Sequence, residues 1–346
     1  MNPMNVSHPY DLIIIGAGPG GCAAAVYAGR KQLKTLVITE SFGGQSIVSN
    51  SIENWIGEKT ISGVELAKKL EAHVRAQETV TVKTGEKVIV VREVGDMCIS
   101  TLDWKKLSSV AASANAACEY EVTTDKGGVF RAKALLVASG GRRRRLDVLG
   151  EAQFDGKGVS YCSTCDAPLF RGKDVAVVGG GNAGLEACVD LFPYAKKIYL
   201  LNIGDKLGGD PITQKQVFDS SRVTVIHHAQ TMEIFGETLV TGLKYQDTVS
   251  GVEKKLAAQG VFVEIGSIPN SEFVKDLVQM NKYNEIIVDH KTLATSRPGI
   301  FAAGDVTDEI YKQNNTSVGD AVSATLSAYN YLLNISKQTP AAQETV

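Results

Sequence analysis

Apolar residues in this chain gather in short unbroken runs separated by glycine turns and by alanine-rich or amphipathic stretches. The run DLIII after Tyr10 shows no polar alternation, which suits a strand buried on both faces. A glycine turn follows, then GCAAAVYAGR as an alanine-rich helix and KTLVITE as the next strand. The same order returns later, with VAVV as a strand, GLEACVDLF as a helix and KIYLL as a second strand. The turns that open at Gly16 and Gly179 mark the two copies. The pattern therefore predicts two βαβ units of the nucleotide-holding kind.

Other segments fill in around them. SGVELAKKLEAHVRAQE reads as an amphipathic helix beginning at Ser62. Residues 80–137 alternate apolar and polar positions and predict short antiparallel strands, interrupted by LSSVAASANAACEYE as a surface loop or short helix. ALLVASGG returns a buried strand. Past the second βαβ unit, GVFVEIG, EIIVD and GIFAAGD read as strands and SVGDAVSATLSAYNYLLN as a final helix. The polar tail SKQTPAAQETV is expected to fray.

Length and composition narrow the function classes. A chain of 346 residues is long enough for two domains with their own cores. It is 44% hydrophobic and 21% charged, with a formal net charge of −2, so it offers no global surface for nucleic acid or membrane. LIIIGAG follows Asp11 without a basic region before it, unlike a secretory leader, and no apolar run approaches the roughly 20 residues of a membrane helix. A cytoplasmic protein is expected.

Two glycine patterns carry the first chemistry. Gly16, Gly18 and Gly21 allow a tight turn, a close approach of backbone to a pyrophosphate, and packing of helix on strand. The helix N-terminus then faces the anion. Glu40, at the end of the second strand, is placed to accept hydrogen bonds from an adenosine ribose. Gly179, Gly181 and Gly184 repeat the pattern, but Asn202 stands where the carboxylate is expected. No Arg or Lys stands at 202–204, and Lys206 is the nearest base, so the sequence favours NADH over NADPH. Arg142 to Arg145 read as a solvated face or a docking surface for an acidic partner.

The second chemistry lies in VSYCSTCD. A tetrahedral zinc needs four ligands, and the chain has neither a second close Cys pair nor a spaced His pair. A static disulfide is out of keeping with a cytoplasmic chain. A redox dithiol fits Cys162 and Cys165, one sulfur resolving the other. Asp166 then supplies a carboxylate able to protonate a departing thiolate, or else caps the next turn. Cys22 and Cys188 read as inert core thiols. Cys98 and Cys118 flank the Ala/Ser-rich segment, as core-like residues or as a regulatory pair.

GAGPGG, FGGQ with IENWIG, ASGG, VSYCSTCD, VAVVGGGNAG and FAAGD followed by YKQ occur together in this order. With these motifs the chain resembles the low-molecular-weight thioredoxin reductases and the flavoprotein part of the alkyl hydroperoxide reductase reductant subunit, over roughly residues 9 to 335. The resemblance implies an α/β fold of two Rossmann-like dinucleotide-binding domains, the second inserted into the first. An FAD-binding domain would span 1–149 and 255–346, and a pyridine-nucleotide domain 150–254. It implies FAD contacts at Gly16, Gly18, Gly20, Gly21, Glu40, Gly44, Gln45 and Asn54. Gly140, Gly304, Asp305, Gln313 and Asn314 would complete that site, Asp305 on the ribityl chain and Gln313 and Asn314 beside the flavin ring. The pyridine nucleotide would meet Gly179, Gly181, Asn182, Gly184 and Asn202. Cys165 would lie nearest the flavin, Cys162 would attack the partner, and Asp166 would give the proton. A homodimer acting on thioredoxin or a similar small dithiol protein is the implied assembly.

Three departures accompany the likeness. Thioredoxin reductases that use NADPH carry His-Arg-Arg where this chain has Asn202-Ile203-Gly204, and the NADH-preferring relatives carry Glu at the first of these positions. Residues 92–118 add material with no evident catalytic group. No thioredoxin-like domain precedes residue 10, so the dithiol relay is expected to be a separate protein. Rival readings are a ferredoxin-linked reductase, a dithiol oxidase of the same fold, and a non-enzymatic flavin sensor.

Overall fold

The computed structural model describes residues 10–49, 52–94 and 119–338. Cys98, Cys118 and most of the 92–118 segment lie outside them, as does the tail from 339. The chain divides into two compact units. One comprises residues up to 51, 55–142 and 268 onward; the other comprises 52–54 and 143–267.

The first unit opens with strand β1 (Tyr10–Ala17), helix α1 (Pro19–Arg30) and strand β2 (Thr35–Phe42). β1 and β2 pair in parallel, Ile13 opposite Leu36 and Ile14 opposite Val37, and all four side chains are buried. The unbroken apolar run thus has the cause assigned to it: both faces of the strand are covered. Ser62 caps helix α2 (Gly63–Arg75), its Oγ accepting from the Glu65 amide at 3.2 Å. Strand β3 (Val80–Thr84) runs parallel to β2, where the alternation predicted an antiparallel neighbour. The reason is the intervening helix: β2, α2 and β3 form a crossover, which returns the chain in the same direction. Strands β4 (Val88–Val94), β5 (Glu119–Thr124) and β6 (Val129–Val137) are antiparallel to one another as expected.

Strand β7 (Gly141–Arg143) leads into the second unit. There β8 (Val159–Ser160), the short helix α3 (Ser163–Asp166), β9 (Asp174–Val178), helix α4 (Asn182–Leu191) and β10 (Lys197–Leu201) follow in order. Helix α5 (Pro211–Asp219) and strand β11 (Val223–Ile226) come next. Strands β12 (Ala229–Gly236), β13 (Val240–Asp247) and β14 (Glu253–Ala257) make an antiparallel sheet. β15 (Gly260–Val263) then inserts between β9 and β8, completing a parallel sheet of order β11-β10-β9-β15-β8.

That strand moves the expected boundary. The unit ends at 267, not 254, and begins at 143, not 150. All four residues of β15 are buried, and a parallel strand covered on both faces needs the neighbours that β9 and β8 supply. Residues 143–150 join the same unit, the Arg144 amide donating to Gly266 O at 3.0 Å.

Strand β16 (Ser267–Pro269) pairs with β7 and returns the chain to the first unit. EIIVD is not a strand: Ile286 makes only isolated bridges to Met280 and Thr307. Its apolar alternation is real, since Ile286 and Val288 are buried, but a turn at 304–308 covers them in place of a strand. Strand β17 (Ile300–Ala302) joins β6 at Leu135–Val137 as the seventh strand of the first sheet. Helix α6 (Asn314–Gln338) packs on α1, and its Ala321, Ala324 and Ala328 are buried in the same core as the alanines of α1. No helix among the described residues is long and apolar enough to cross a membrane.

Candidate functional site

In the first unit a cavity of about 360 Å³ opens at the turn between β1 and α1. Gly16 makes that turn with φ +103°, and a Cβ there would stand 2.4 Å from Ala138 O. Gly18 precedes α1 without any side-chain cap, so the first-turn amides stay available to an anion. A Cβ on Gly44 would come to 3.2 Å from the Gly18 Cα, so bare backbone from two loops lines the cleft. Gly20, Glu40, Gln45 and Gly140 line it too. Gly304, Asp305 and Asn314 close it from the far end of the sequence, and Asp305 accepts from Ser317 Oγ at 3.3 Å. The Asn314 carboxamide accepts from Ser46 Oγ at 2.9 Å, joining segments at opposite ends of the chain.

Three expected residues lie elsewhere. Gly21 packs helix on strand, since a Cβ would stand 2.0 Å from Gly16 O, and does not line the cavity. Asn54 belongs to the run 52–54, grouped with the second unit, and is absent from the cavity wall. The Gln313 carbonyl accepts from the Ser317 amide at 2.9 Å to start α6, and the wall begins one residue later.

The second unit has its own cavity, of about 590 Å³, at the C-terminal edge of its parallel sheet. Gly179, Gly181, Asn182 and Asn202 line it. Gly179 has φ +132°, and a Cβ would lie 2.2 Å from Glu264 O. Gly184 packs beneath, a Cβ there reaching within 1.7 Å of Gly179 O. The Asn202 side-chain Nδ2 donates to Gly204 O at 3.0 Å and Lys206 O at 2.9 Å, which closes the loop after β10. Its Oδ1 faces Gly180. Asn202 therefore staples its own loop and keeps only an acceptor free for a ligand, a role the sequence did not reveal.

Both cavities fit dinucleotides on the same ground: uncapped, glycine-built strand–helix turns whose Cβ positions are filled by backbone. An acceptor ends the second strand in each, the Glu40 carboxylate in one and the Asn202 carbonyl in the other.

The Cys162–Cys165 disulfide lies on the second unit, at the start of α3, with Cα atoms 5.3 Å apart. Ser160 Oγ donates to Asp166 Oδ2 at 2.6 Å and accepts from the Cys162 amide at 3.2 Å. Asp166 caps no helix; its carboxylate is turned to Ser160 instead. Burial pushes the Asp166 carboxyl above its ordinary range, while the Ser160 hydroxyl and Arg143 pull it back. The Ser163 and Thr164 hydroxyls both donate to Asp190 Oδ2, at 2.8 and 3.1 Å, fixing the loop between the two cysteines. The other described cysteines are inert by comparison. Burial pushes the Cys22 and Cys188 thiols up to about 12.

All four arginines of the basic run are exposed. Arg142 pairs with Glu272 at 2.7 Å, while Arg145 pairs with Asp155 at 3.0 Å and lies over the Tyr161 ring. Arg143 acts on Asp166 and Glu264. Ser160, Asp190 and Glu264 were missed in the sequence. Only Glu264 carried a signal there, as a charge directly after four buried strand residues.

Comparison with known proteins agrees with this geometry. The family description "Pyridine nucleotide-disulphide oxidoreductase" matches residues 10–324. An NADH dehydrogenase of Bacillus subtilis is 40% identical over 325 residues, 94% of this chain and 59% of the relative. The F component of the alkyl hydroperoxide reductase of Pseudomonas aeruginosa is also 40% identical, again over 94% of this chain and 59% of its own length. The chain thus spans about three fifths of the curated relatives it matches. Among solved structures, thioredoxin reductase from Streptococcus pyogenes superposes with a TM-score of 0.81 at 33% identity, covering 94% of this chain and 98% of that one. Thioredoxin reductase from Giardia duodenalis gives 0.81 at 27% identity, covering 94% and 100%. With two glycine-turn cavities, a Cys-x-x-Cys disulfide and a match over nearly its whole length, the chain belongs to the pyridine nucleotide-disulphide oxidoreductases, enzymes that work with FAD and a pyridine nucleotide.

Proposed function

We propose that the chain is a flavin-dependent disulfide reductase that draws electrons from NADH in preference to NADPH and delivers them to a small redox protein of the thioredoxin kind. The observation that carries this reading is the Cys162–Cys165 disulfide with Asp166 held beside it by Ser160, on a unit that also bears a nucleotide-type cleft. FAD, in the first-unit cavity, would supply two-electron exchange between a hydride donor and a dithiol. Gly16, Gly18 and the α1 N-terminus would hold its pyrophosphate and Glu40 its ribose, with Asp305 and Asn314 on the remaining wall.

The chain's own residues then perform thiol–disulfide exchange. Once the disulfide is reduced, the Cys162 thiolate attacks one sulfur of the partner's disulfide, and the bond between the partner's sulfurs breaks. The departing partner thiolate takes a proton from Asp166. The Cys165 thiol, giving up its proton, attacks Cys162 Sγ within the mixed disulfide; the internal bond re-forms, and the second partner sulfur leaves and takes up that proton, completing the partner's dithiol. The raised Asp166 carboxyl supports the proton-donor role, since a buried acid keeps its proton nearer neutrality.

Preference for NADH rests on Asn202 and on the lack of a base at 202–204. The intact turn at Gly179 favours a nucleotide donor over ferredoxin. A cytoplasmic homodimer completes the proposal. The test is anaerobic mixing of the purified flavoprotein with NADH, NADPH and reduced ferredoxin, followed by addition of oxidised thioredoxin. Bleaching by NADH first and reoxidation by thioredoxin is the expected result. Bleaching by ferredoxin alone would overturn the donor assignment, and no thioredoxin reduction would overturn the acceptor.

A further inference from the structure

Glu264 follows β15 directly, and its amide donates to Val178 O at 2.8 Å, so it stands at the C-terminal edge of the parallel sheet beside the Gly179 turn. It lines the second cavity and is 9% exposed. One carboxylate oxygen, Oε1, is buried with no hydrogen-bond partner. The backbone N–H of Ser163, the residue between Cys162 and Thr164 at the start of α3, lies near enough to favour the Glu264 anion. A buried carboxylate with one oxygen unpartnered, on a residue that lines a cavity, costs stability unless a ligand or ion offsets its charge.

The sheet order says which part of a ligand that is. β9 leads into the glycine turn; β10, on one side, is followed by Asn202, and β15, on the other, by Glu264. A dinucleotide laid across the strand ends places its pyrophosphate at the turn and its adenosine ribose at the end of the strand after the first helix. The other half, with the nicotinamide, then crosses toward β15. That ring is a cation when oxidised and neutral when reduced. This step rests on the proposed reading of the second cavity as a pyridine-nucleotide site.

We propose that Glu264 is a specificity-determining residue for the redox state of the nucleotide, its carboxylate favouring the cationic oxidised nicotinamide over the neutral reduced ring. The groups facing it set when it is charged. Burial raises its carboxyl to about 7, Asp190 and Glu186, both on α4, add to the rise, and Arg143 with the Ser163 amide opposes it. Cys188 on α4, its thiol raised in part by Glu264, stays protonated throughout this range. Above about 7 the carboxylate is an anion and attracts the oxidised ring; below, it is neutral and does not discriminate. Binding of the oxidised nucleotide near neutrality must then expel a proton.

The test is calorimetric titration of the oxidised flavoprotein with NAD⁺ and with the redox-inert tetrahydronicotinamide analogue of NADH. Each is run from about pH 6 to about pH 8 in two buffers of different ionisation enthalpy. The wild type is expected to shift its affinity ratio roughly tenfold toward NAD⁺ as pH rises, with proton release on NAD⁺ binding only. In Glu264→Gln the ratio is expected to stay flat and the proton release to vanish, while any other titrating group persists. A pH-independent ratio in the wild type overturns the proposal without reference to the variant, and so does an undiminished pH dependence in Glu264→Gln. Failure of both ligands to bind at any pH overturns the nucleotide assignment itself together with this inference.

Discussion

The Ser160 hydroxyl donates a 2.6 Å hydrogen bond to Asp166 Oδ2, and Ser160 Oγ in turn accepts from the backbone amide of Cys162. One side chain thus ties the proposed proton donor to the proposed attacking cysteine. Asp166 is useful while it keeps its proton, so turnover is expected to fall as pH rises through its raised value. Ser160→Ala removes a contact that favours the anion, and should move that alkaline limb to higher pH. Asp166→Asn should cost on the order of a hundredfold in turnover and erase the limb. Rates of thioredoxin reduction across pH, with flavin reduction followed separately, check both.

The two cysteines have separable roles. Cys162→Ser should abolish disulfide-reductase turnover and leave flavin bleaching by the nucleotide intact. Cys165→Ser keeps the attacking thiol but not the resolving one, so it should accumulate a mixed disulfide with the partner, visible as a mass shift. Full turnover by Cys162→Ser would sink the dithiol mechanism.

Substitution at the two glycine turns should separate the two cofactors. Gly16→Ala drives a Cβ to 2.4 Å from Ala138 O, and Gly179→Ala drives one to 2.2 Å from Glu264 O, both at positive φ. Strain of about 1–3 kcal/mol at each turn is expected. Gly16→Ala should purify with depleted flavin. Gly179→Ala should retain flavin and raise the nucleotide KM at least tenfold.

Asn202 joins structure to binding. Asn202→Ala loses both hydrogen bonds that close the loop 202–206 and leaves the Gly204 and Lys206 carbonyls without that donor. A loss of about 1–3 kcal/mol in stability and a weaker nucleotide site should appear together in thermal unfolding and in titration.

Glu264 makes stability depend on pH as well. Its carboxyl, ordinarily at 4.5, is raised to about 7 in the fold, so the folded state holds the proton longer than the unfolded one. Stability is then fullest below about 4.5 and declines as pH rises toward about 7, by a few kcal/mol at most, with no further change from this group above. Glu264→Gln should flatten that slope in denaturant titrations of the protein.

Much of this architecture was readable because its strongest signals are local. Unbroken runs such as DLIII and VAVV, set before glycine turns, announce parallel strands covered on both faces. β3 and EIIVD were misread for a shared reason: alternation records which side chains are covered, not what covers them. At β3 the crossover helix decided the direction, and at Ile286 a turn did the covering. The boundary at 267 was hidden because β15 pairs with β9, some eighty residues earlier in the chain. The cysteine pair was plain in VSYCSTCD, but its hydroxyl partner Ser160 carries no signature. Glu264 needed the cavity to give its charge a meaning.

The split of the first sheet has a consequence for synthesis. β6 pairs with β5 along Val129–Ala132 and with β17 along Leu135–Val137, and between β6 and β17 the chain makes nearly all of the second unit. On the ribosome the strands of the second unit therefore emerge complete while the first sheet still lacks its seventh strand and α6. Gly304, Asp305 and Asn314, part of the first cavity's wall, are made only after the whole second unit. The nascent chain can close its disulfide-bearing unit early, but the wall of the first cavity is incomplete until Asn314 has emerged.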